Sequence, residues 1–248
     1  MSELSGLYAL WERELKIYLR ERSRIVSSAI NPLLWLFVFG GGLGSEFSVG
    51  SVNYQTFIYP GIIAMTVIFS SIFYGAYVVW DKRLDFLKEV LVAPIARSTA
   101  FLGKVLGGVT DGVIQATIML VLAPIFGIPA GLGFALVYVV LFVLVVGLVS
   151  IGLIIGSMME SPEGFGLLSS FVTFPLFFLS GALFPLSNLP PWLSIVTFGN
   201  PVTYGVDAIR GLMLGTYKFG LLVDLPVLVG FDLAVLAVGT ISFRRMKL

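Results

Sequence analysis

The sequence predicts an all-α integral membrane protein, and three observations carry that prediction. Of the 248 residues 58% are hydrophobic and 12% charged, with a mean hydropathy of +1.02, outside the range of water-soluble domains. The apolar residues fall in runs of about twenty, the length that crosses a hydrocarbon core of about 30 Å. Lys and Arg gather between those runs. The expected architecture is six transmembrane helices in one domain, residues 1–248. An N-terminal amphipathic interface helix precedes them, and two short re-entrant outer half-helices lie between spans five and six.

Residues 3–22 form the interface helix. Leu4, Leu7, Tyr8, Trp11, Leu15, Tyr18 and Leu19 recur at helical spacing, while Glu12, Arg13, Lys16, Arg20 and Arg22 fill the other side. Such a helix lies in the headgroup plane, with Trp11 and Tyr18 as anchors and Arg13, Lys16 and Arg20 on the charged face. Glu3, Glu12 and Glu14 and the lack of a short apolar core argue against a signal peptide. The first span, 25–43, meets Asn31-Pro32 two turns in, where a kink is expected. The glycine cluster that ends it, Gly40 to Gly44, reads as a helix exit, since no strand precedes it to make a phosphate loop.

The second span, 58–80, delivers the chain to the charged segment 81–98. There Leu84, Leu87 and Leu91 share a face, Asp81, Lys82, Arg83, Asp85, Lys88 and Glu89 occupy the rest, and Pro94 ends a short surface helix. The third span, 101–127, places Gly107, Asp111 and Gln115 at i, i+4 and i+8, with Gly103 and Lys104 one turn earlier. An ionisable residue at that depth is either a functional group facing a cavity or a structural one partnered by Lys104 or by the backbone. The fourth span is 134–156. Ser161, Pro162 and Glu163 then read as N-cap, N1 and N2 of the fifth, 165–184. The sixth, 221–243, carries Asp224 and Asp232, and Arg244, Arg245 and Lys247 follow it.

Segment 185–215 breaks the pattern. Pro185, Pro190 and Pro191 cannot sit in a helix interior, so the fifth helix should stop near Phe184. The apolar residues beyond are too few to cross a bilayer. Asn188 and Asn200 are suitable N-caps, and two half-helices are expected over 190–198 and 201–214. On the second, Asp207 and Arg210 stand at i, i+3, where they either pair as an outer gate or cap and solubilise the half-helix.

Of the fifteen basic residues, thirteen fall at the N-terminal helix, the 81–104 region and the C-terminal end, against two, Arg210 and Lys218, on the other side. By the positive-inside rule both termini are cytoplasmic in a multi-pass protein of the cell membrane. The chain has no Cys and no His, which excludes disulfides, thiolate nucleophiles and His-ligated metals. Asp111, Glu160, Glu163 and Asp232 are too scattered to form a catalytic cluster. No G-x-x-x-x-G-K-[ST] motif occurs, so the chain is not expected to hydrolyse ATP.

The segments FFLSGALFPLSNLPPWL and NPVTYGVDAIRGLMLG resemble the C-terminal signature of the ABC type-2 exporter permeases. The resemblance rests on Ser180, Gly181, Phe184, Pro185, Leu189, Pro190, Asn200, Pro201, Asp207 and Arg210 in order and spacing. It implies a separate ABC ATPase subunit that binds ATP and Mg, a second copy of this chain to complete the pathway, and export. Segment 81–98 then corresponds to a cytoplasmic coupling helix, with Arg83, Asp85, Glu89, Pro94 and Arg97 at the ATPase contact. Asp111, Gln115, Asp207 and Arg210 are the pathway or gate candidates. The bilayer is the other partner, and no nucleic-acid partner, metal or cofactor of its own is expected. An ATP-independent carrier or channel is the alternative, although the two halves show no matching features of an inverted repeat.

Overall fold

The computed structural model describes residues 3–42, 48–49, 52–92, 94–187 and 189–246. It is helical apart from a two-residue antiparallel ladder, β1 (Ser48–Val49) with β2 (Val52–Asn53). The last residues of the expected first span and helix exit, Leu43 and Gly44, lie outside the described residues, as do the Asn188 cap and Lys247.

Among the described residues four helices are long and apolar enough to cross a membrane: 54–83, 97–126, 132–158 and 221–245. A fifth candidate is the bent pair made by α1 (Glu3–Arg20) and the segment Ile25–Gly41, which meet at 83°. That angle sets α1 across the first apolar helix, α2 (Arg22–Trp35). α2 runs through Pro32 and passes into a π-helical stretch at Leu36–Gly41, so the irregularity begins one turn beyond the expected kink.

The second span divides into α3 (Tyr54–Phe73) and α4 (Ala76–Arg83) at a turn over Tyr74-Gly75. A Cβ on Gly75 would collide with the Gly152 carbonyl oxygen of α7 (Leu132–Met158), and one on Gly152 would collide with that of Ile72. The Gly152/Gly156 pair is thus a backbone-to-backbone crossing, the close approach that small residues permit between membrane helices. α3 and α7 form the centre, with α6 (Arg97–Leu122) packed against both. Tyr59 of α3 donates to the Met119 carbonyl of α6 at 2.6 Å.

α8 (Pro162–Phe178) starts as expected, the Ser161 hydroxyl accepting from Gly164 N. It ends at Phe178 rather than Phe184. Its 17 residues extend about 25 Å, short of the core thickness. Gly181 has φ +74°, and the Ser180 hydroxyl donates to Phe177 O and accepts from Ala182 N. These local bonds stop the helix before Pro185 is reached. The half-helices are α9 (Pro191–Gly199) and α10 (Pro201–Leu214), with the Asn200 side chain capping α10 through Val202 N. α11 (Leu221–Arg245) packs on α7, α10 and α6 through one stripe, Asp224, Leu228, Asp232, Gly239 and Phe243, the last two against Phe101 of α6, and leaves Leu222, Leu233 and Ile241 exposed.

Candidate functional site

α1 lies along α6, and its packed face is Gly6, Leu10, Glu14 and Tyr18, not the whole apolar stripe read from the sequence. Leu4, Tyr8 and Leu19 are exposed. Glu14 is buried, and so are Asp81 at the end of α4 and Lys104 on α6. Asp81 therefore does not belong to the solvated face assigned to it. Lys104 Nζ donates to Asp81 Oδ2 at 2.5 Å and to Glu14 Oε1 at 3.1 Å. Arg13 bridges the same two carboxylates, 2.9 Å to Asp81 and 2.8 Å to Glu14, and Tyr74 Oη donates to Glu14 Oε2 at 2.9 Å. Two cations and two anions form a neutral network that joins α1, α4 and α6 and takes in the turn before α4. A buried charge is tolerated in a low-dielectric interior when it is paired and hydrogen-bonded.

The network touches the charged segment directly. The Arg13 guanidinium lies 3.6 Å over the ring of Phe86, on α5 (Phe86–Val92). α5 seats Leu87 and Val90 and exposes Glu89, while Leu84, expected on the apolar face, is also exposed. Asp85 occupies the sharp turn between α4 and α5 with φ +57°, a left-handed conformation that Asp tolerates better than most residues. Arg83 reaches Glu160 O at 3.4 Å and Glu163 at 3.9 Å, and its partner Glu163 is itself exposed. Pro94 is exposed. Arg97 turns instead to the far end of the chain, donating to the carbonyls of Arg244 at 2.9 Å and Met246 at 3.1 Å. Lys82 caps α7 by donating to Ser157 O at 2.5 Å and to the Gly156 and Met159 carbonyls at 3.1 Å. A lysine on the negative end of a helix satisfies carbonyls that have no partner within it.

Among the interface-helix residues, Trp11 turns inward and donates to Thr110 Oγ1 at 2.9 Å. Tyr18 is buried, Arg20 is exposed, and Lys16 pairs with Glu12 at 2.6 Å on the outer side. Asp111 is not partnered by Lys104, which is engaged by Asp81 and Glu14. Its Oδ1 accepts from Gln115, and both side chains are buried.

The half-helices sit at the opposite end of α3 from α5. Asp207 and Arg210 are both buried, yet among the described residues no ion pair joins them. Asp207 accepts from Lys218 N at 2.8 and 3.0 Å and from Phe219 N at 2.8 Å. Arg210 Nη2 donates to the carbonyls of Gly181 at 2.9 Å and Ala182 at 3.2 Å, with its guanidinium 4.1 Å over Phe57. The planar guanidinium suits both tasks, since its fork of donors grips carbonyls while its face lies on a ring.

A family model described as "ABC-2 type transporter" matches residues 5–214, from α1 through the second half-helix. The chain belongs to the ABC-2 type transporter family. The inner membrane transport permease YadH of Escherichia coli K12 is 29% identical over 92% of this chain and 91% of its own. The putative transport permease ycf38 of Cyanophora paradoxa is 28% identical over 98% and 89%. Nodulation protein J of Rhizobium leguminosarum bv. viciae is 25% identical over 96% and 93%. This ABC-2 permease is therefore a multi-pass membrane protein, the membrane component of an ABC transporter. The matched stretch includes both the ion network and the half-helices.

Sequence reasoning missed the roles of Glu14, Asp81, Tyr74 and Lys82. The i+4 spacing of Gly6, Leu10, Glu14 and Tyr18 was the available signal, because a small residue and two bulky ones mark a packing face that then includes the carboxylate.

Proposed function

We propose that this permease forms the pathway of an ATP-driven exporter as a homodimer, each copy coupled to a separate ATPase subunit that binds ATP and Mg. The observation that carries the reading is the neutral Arg13–Glu14–Lys104–Asp81 network beneath α5. A push on segment 81–98 reaches α1, α4 and α6 together, because those elements share four charges that cannot be separated without exposing one of them to a dry interior. The exposed residues Arg83, Asp85, Glu89 and Pro94 form the docking surface, and Arg97 holds the C-terminal end beside it. The thirteen-to-two distribution of basic residues supports a cytoplasmic position for that end and for both termini. Six spans satisfy it, with α2 and the short α8 each crossing once and 185–215 re-entrant on the outer side.

The test is purification of the tagged chain from native membranes in mild detergent. A stoichiometric P-loop ATPase with vanadate-sensitive hydrolysis is the expected companion. Glu89→Lys should lower that hydrolysis at least about fivefold by opposing the docking charge, with the elution profile of the chain unchanged. A clean homo-oligomer without an ATPase, or full coupled activity in Glu89→Lys, overturns the reading.

A further inference from the structure

On the outer wall of the bundle α7, α8 and α11 leave a groove of about 310 Å³ between them. Its lining is aliphatic throughout: Ile151, Ile154 and Ile155 of α7, Val172 of α8, and Ala234, Val235 and Val238 of α11. Val238 is 52% exposed, so the groove is open along its side. With no polar side chain in its walls, it offers nothing to a polar solute and a matching surface to a hydrocarbon chain. The α11 stripe that lines it changes character toward the C-terminal end of the helix. Val238 is followed at i+4 by Ser242 and at i+7 by Arg245, which share its face. Ser242 bonds Ser157 of α7 at 2.6 Å and closes the seam between the two helices. Arg245 is exposed and stands about 10 Å beyond Val238 along the axis, at ~1.5 Å per residue. Apolar groove, hydroxyl level and cation follow one another in the order of acyl chain, glycerol and phosphate in a phospholipid.

We infer that this groove holds one acyl chain of an anionic phospholipid of the bilayer, with Arg245 on its phosphate. The acidic residues near that end are turned elsewhere. Glu163 stands half a turn round α8 from Val172 and faces Arg83 at 3.9 Å, and Glu160 lies within the electrostatic reach of Lys82. A zwitterionic headgroup presents the same phosphate but brings its own cation to Arg245, so a net negative headgroup is favoured. The lipid fills a gap in the outer wall and belongs to that wall rather than to any path through the protein. The ATPase has no part in it. The exporter reading enters only through the orientation that makes this end cytoplasmic and the cytoplasmic leaflet the source of the lipid. Labelling by lipid needs no ATPase, so the two fail separately.

The experiment places the full chain in phosphatidylcholine nanodiscs and photolabels it with phosphatidylglycerol carrying a diazirine in one acyl chain, and in parallel with the matching phosphatidylcholine. Mass spectrometry locates the label. At residues 151–155, 172 and 234–238 phosphatidylglycerol should label about fivefold more than phosphatidylcholine, the equivalent of the ~1 kcal/mol that one basic residue contributes at an anionic surface. Leu167, exposed on α8 away from the groove, reports the general lipid shell and should show a preference below about twofold. Arg245→Gln should bring the ratio in the groove to about one, while Arg245→Lys keeps most of it. Arg20→Gln, which removes an exposed cation from α1, should leave it unchanged. Ala234→Phe, which fills the groove, should lower labelling there by both lipids at least about fivefold and leave Leu167 as it was. Four results overturn the inference: equal labelling of the groove by the two lipids, the same preference at Leu167 as in the groove, an undiminished preference in Arg245→Gln, or a groove that neither lipid labels, which would place another copy of the chain there.

Discussion

The two ends of α3 handle buried charge in opposite ways. At the α5 end, Arg13, Glu14, Asp81 and Lys104 satisfy one another across three helices and so join distant parts of the chain. At the half-helix end, Asp207 and Arg210 form no direct ion pair and instead bind backbone groups of adjoining turns, the N–H groups of Lys218 and Phe219 and the carbonyls of Gly181 and Ala182. The first arrangement ties elements to each other and can rearrange only as a unit. The second staples loops whose own backbone would otherwise be unsatisfied, and fixes the shape of a broken segment. A set of helices linked through one charge network and a broken segment held in one shape are what these two solutions produce.

The largest effect should come from opening the network. Lys104→Met leaves Asp81 and Glu14 buried with Arg13 alone to balance them, at a loss of about 3–5 kcal/mol of stability. Thermal unfolding in nanodiscs reads it. Adding Asp81→Asn removes the orphaned charge and should recover at least about half of the loss, because the two positions form one unit. If the double variant is as unstable as the sum of the singles, the four charges do not act together and the contrast between the ends fails.

A smaller loss is expected at the other end. Asp207→Ala deprives the Lys218 and Phe219 N–H groups of their acceptor and should cost about 1–3 kcal/mol. A cycle with Arg210→Met should show less than about 1 kcal/mol of coupling, since the two residues serve different turns. A larger coupling would mean that they act as the paired gate that their i, i+3 spacing suggests, and would erase the distinction between the ends.

What the sequence made legible was local. Ser161 and Asn200 declared themselves as caps, and the half-helix bounds followed from Pro191 and Pro201, because capping and proline chemistry act within one turn. The end of α8 at Phe178 was hidden, since hydropathy continues through Leu183 and only the turn at Ser180-Gly181 stops the helix. The network was hidden for a different reason. Glu14 lies 90 positions from Lys104, and Arg13 lies 68 from Asp81. A charge on a helical wheel reads as a solvent face unless its distant partner is known. The same blindness made Lys104 look like a partner for Asp111, its neighbour in sequence, when tertiary packing had assigned it elsewhere.

The smallest expected effect sharpens the comparison from outside. Lys16 and Glu12 are close enough to bond, at 2.6 Å, but they lie on the exposed side of α1. Lys16→Ala should change stability by no more than about 0.5 kcal/mol, as for other solvent-facing i, i+4 pairs. The four-charge network on the other side of α1 has comparable distances and an expected effect several times larger, so burial rather than geometry sets the difference. Adding salt separates them further, because screening acts on the exposed pair and not on the buried one. A loss from Lys16→Ala that matches the one from Lys104→Met would show that the outer face of α1 is itself covered, by lipid headgroups or by another chain, and the nanodisc lipid composition would then be the variable to change.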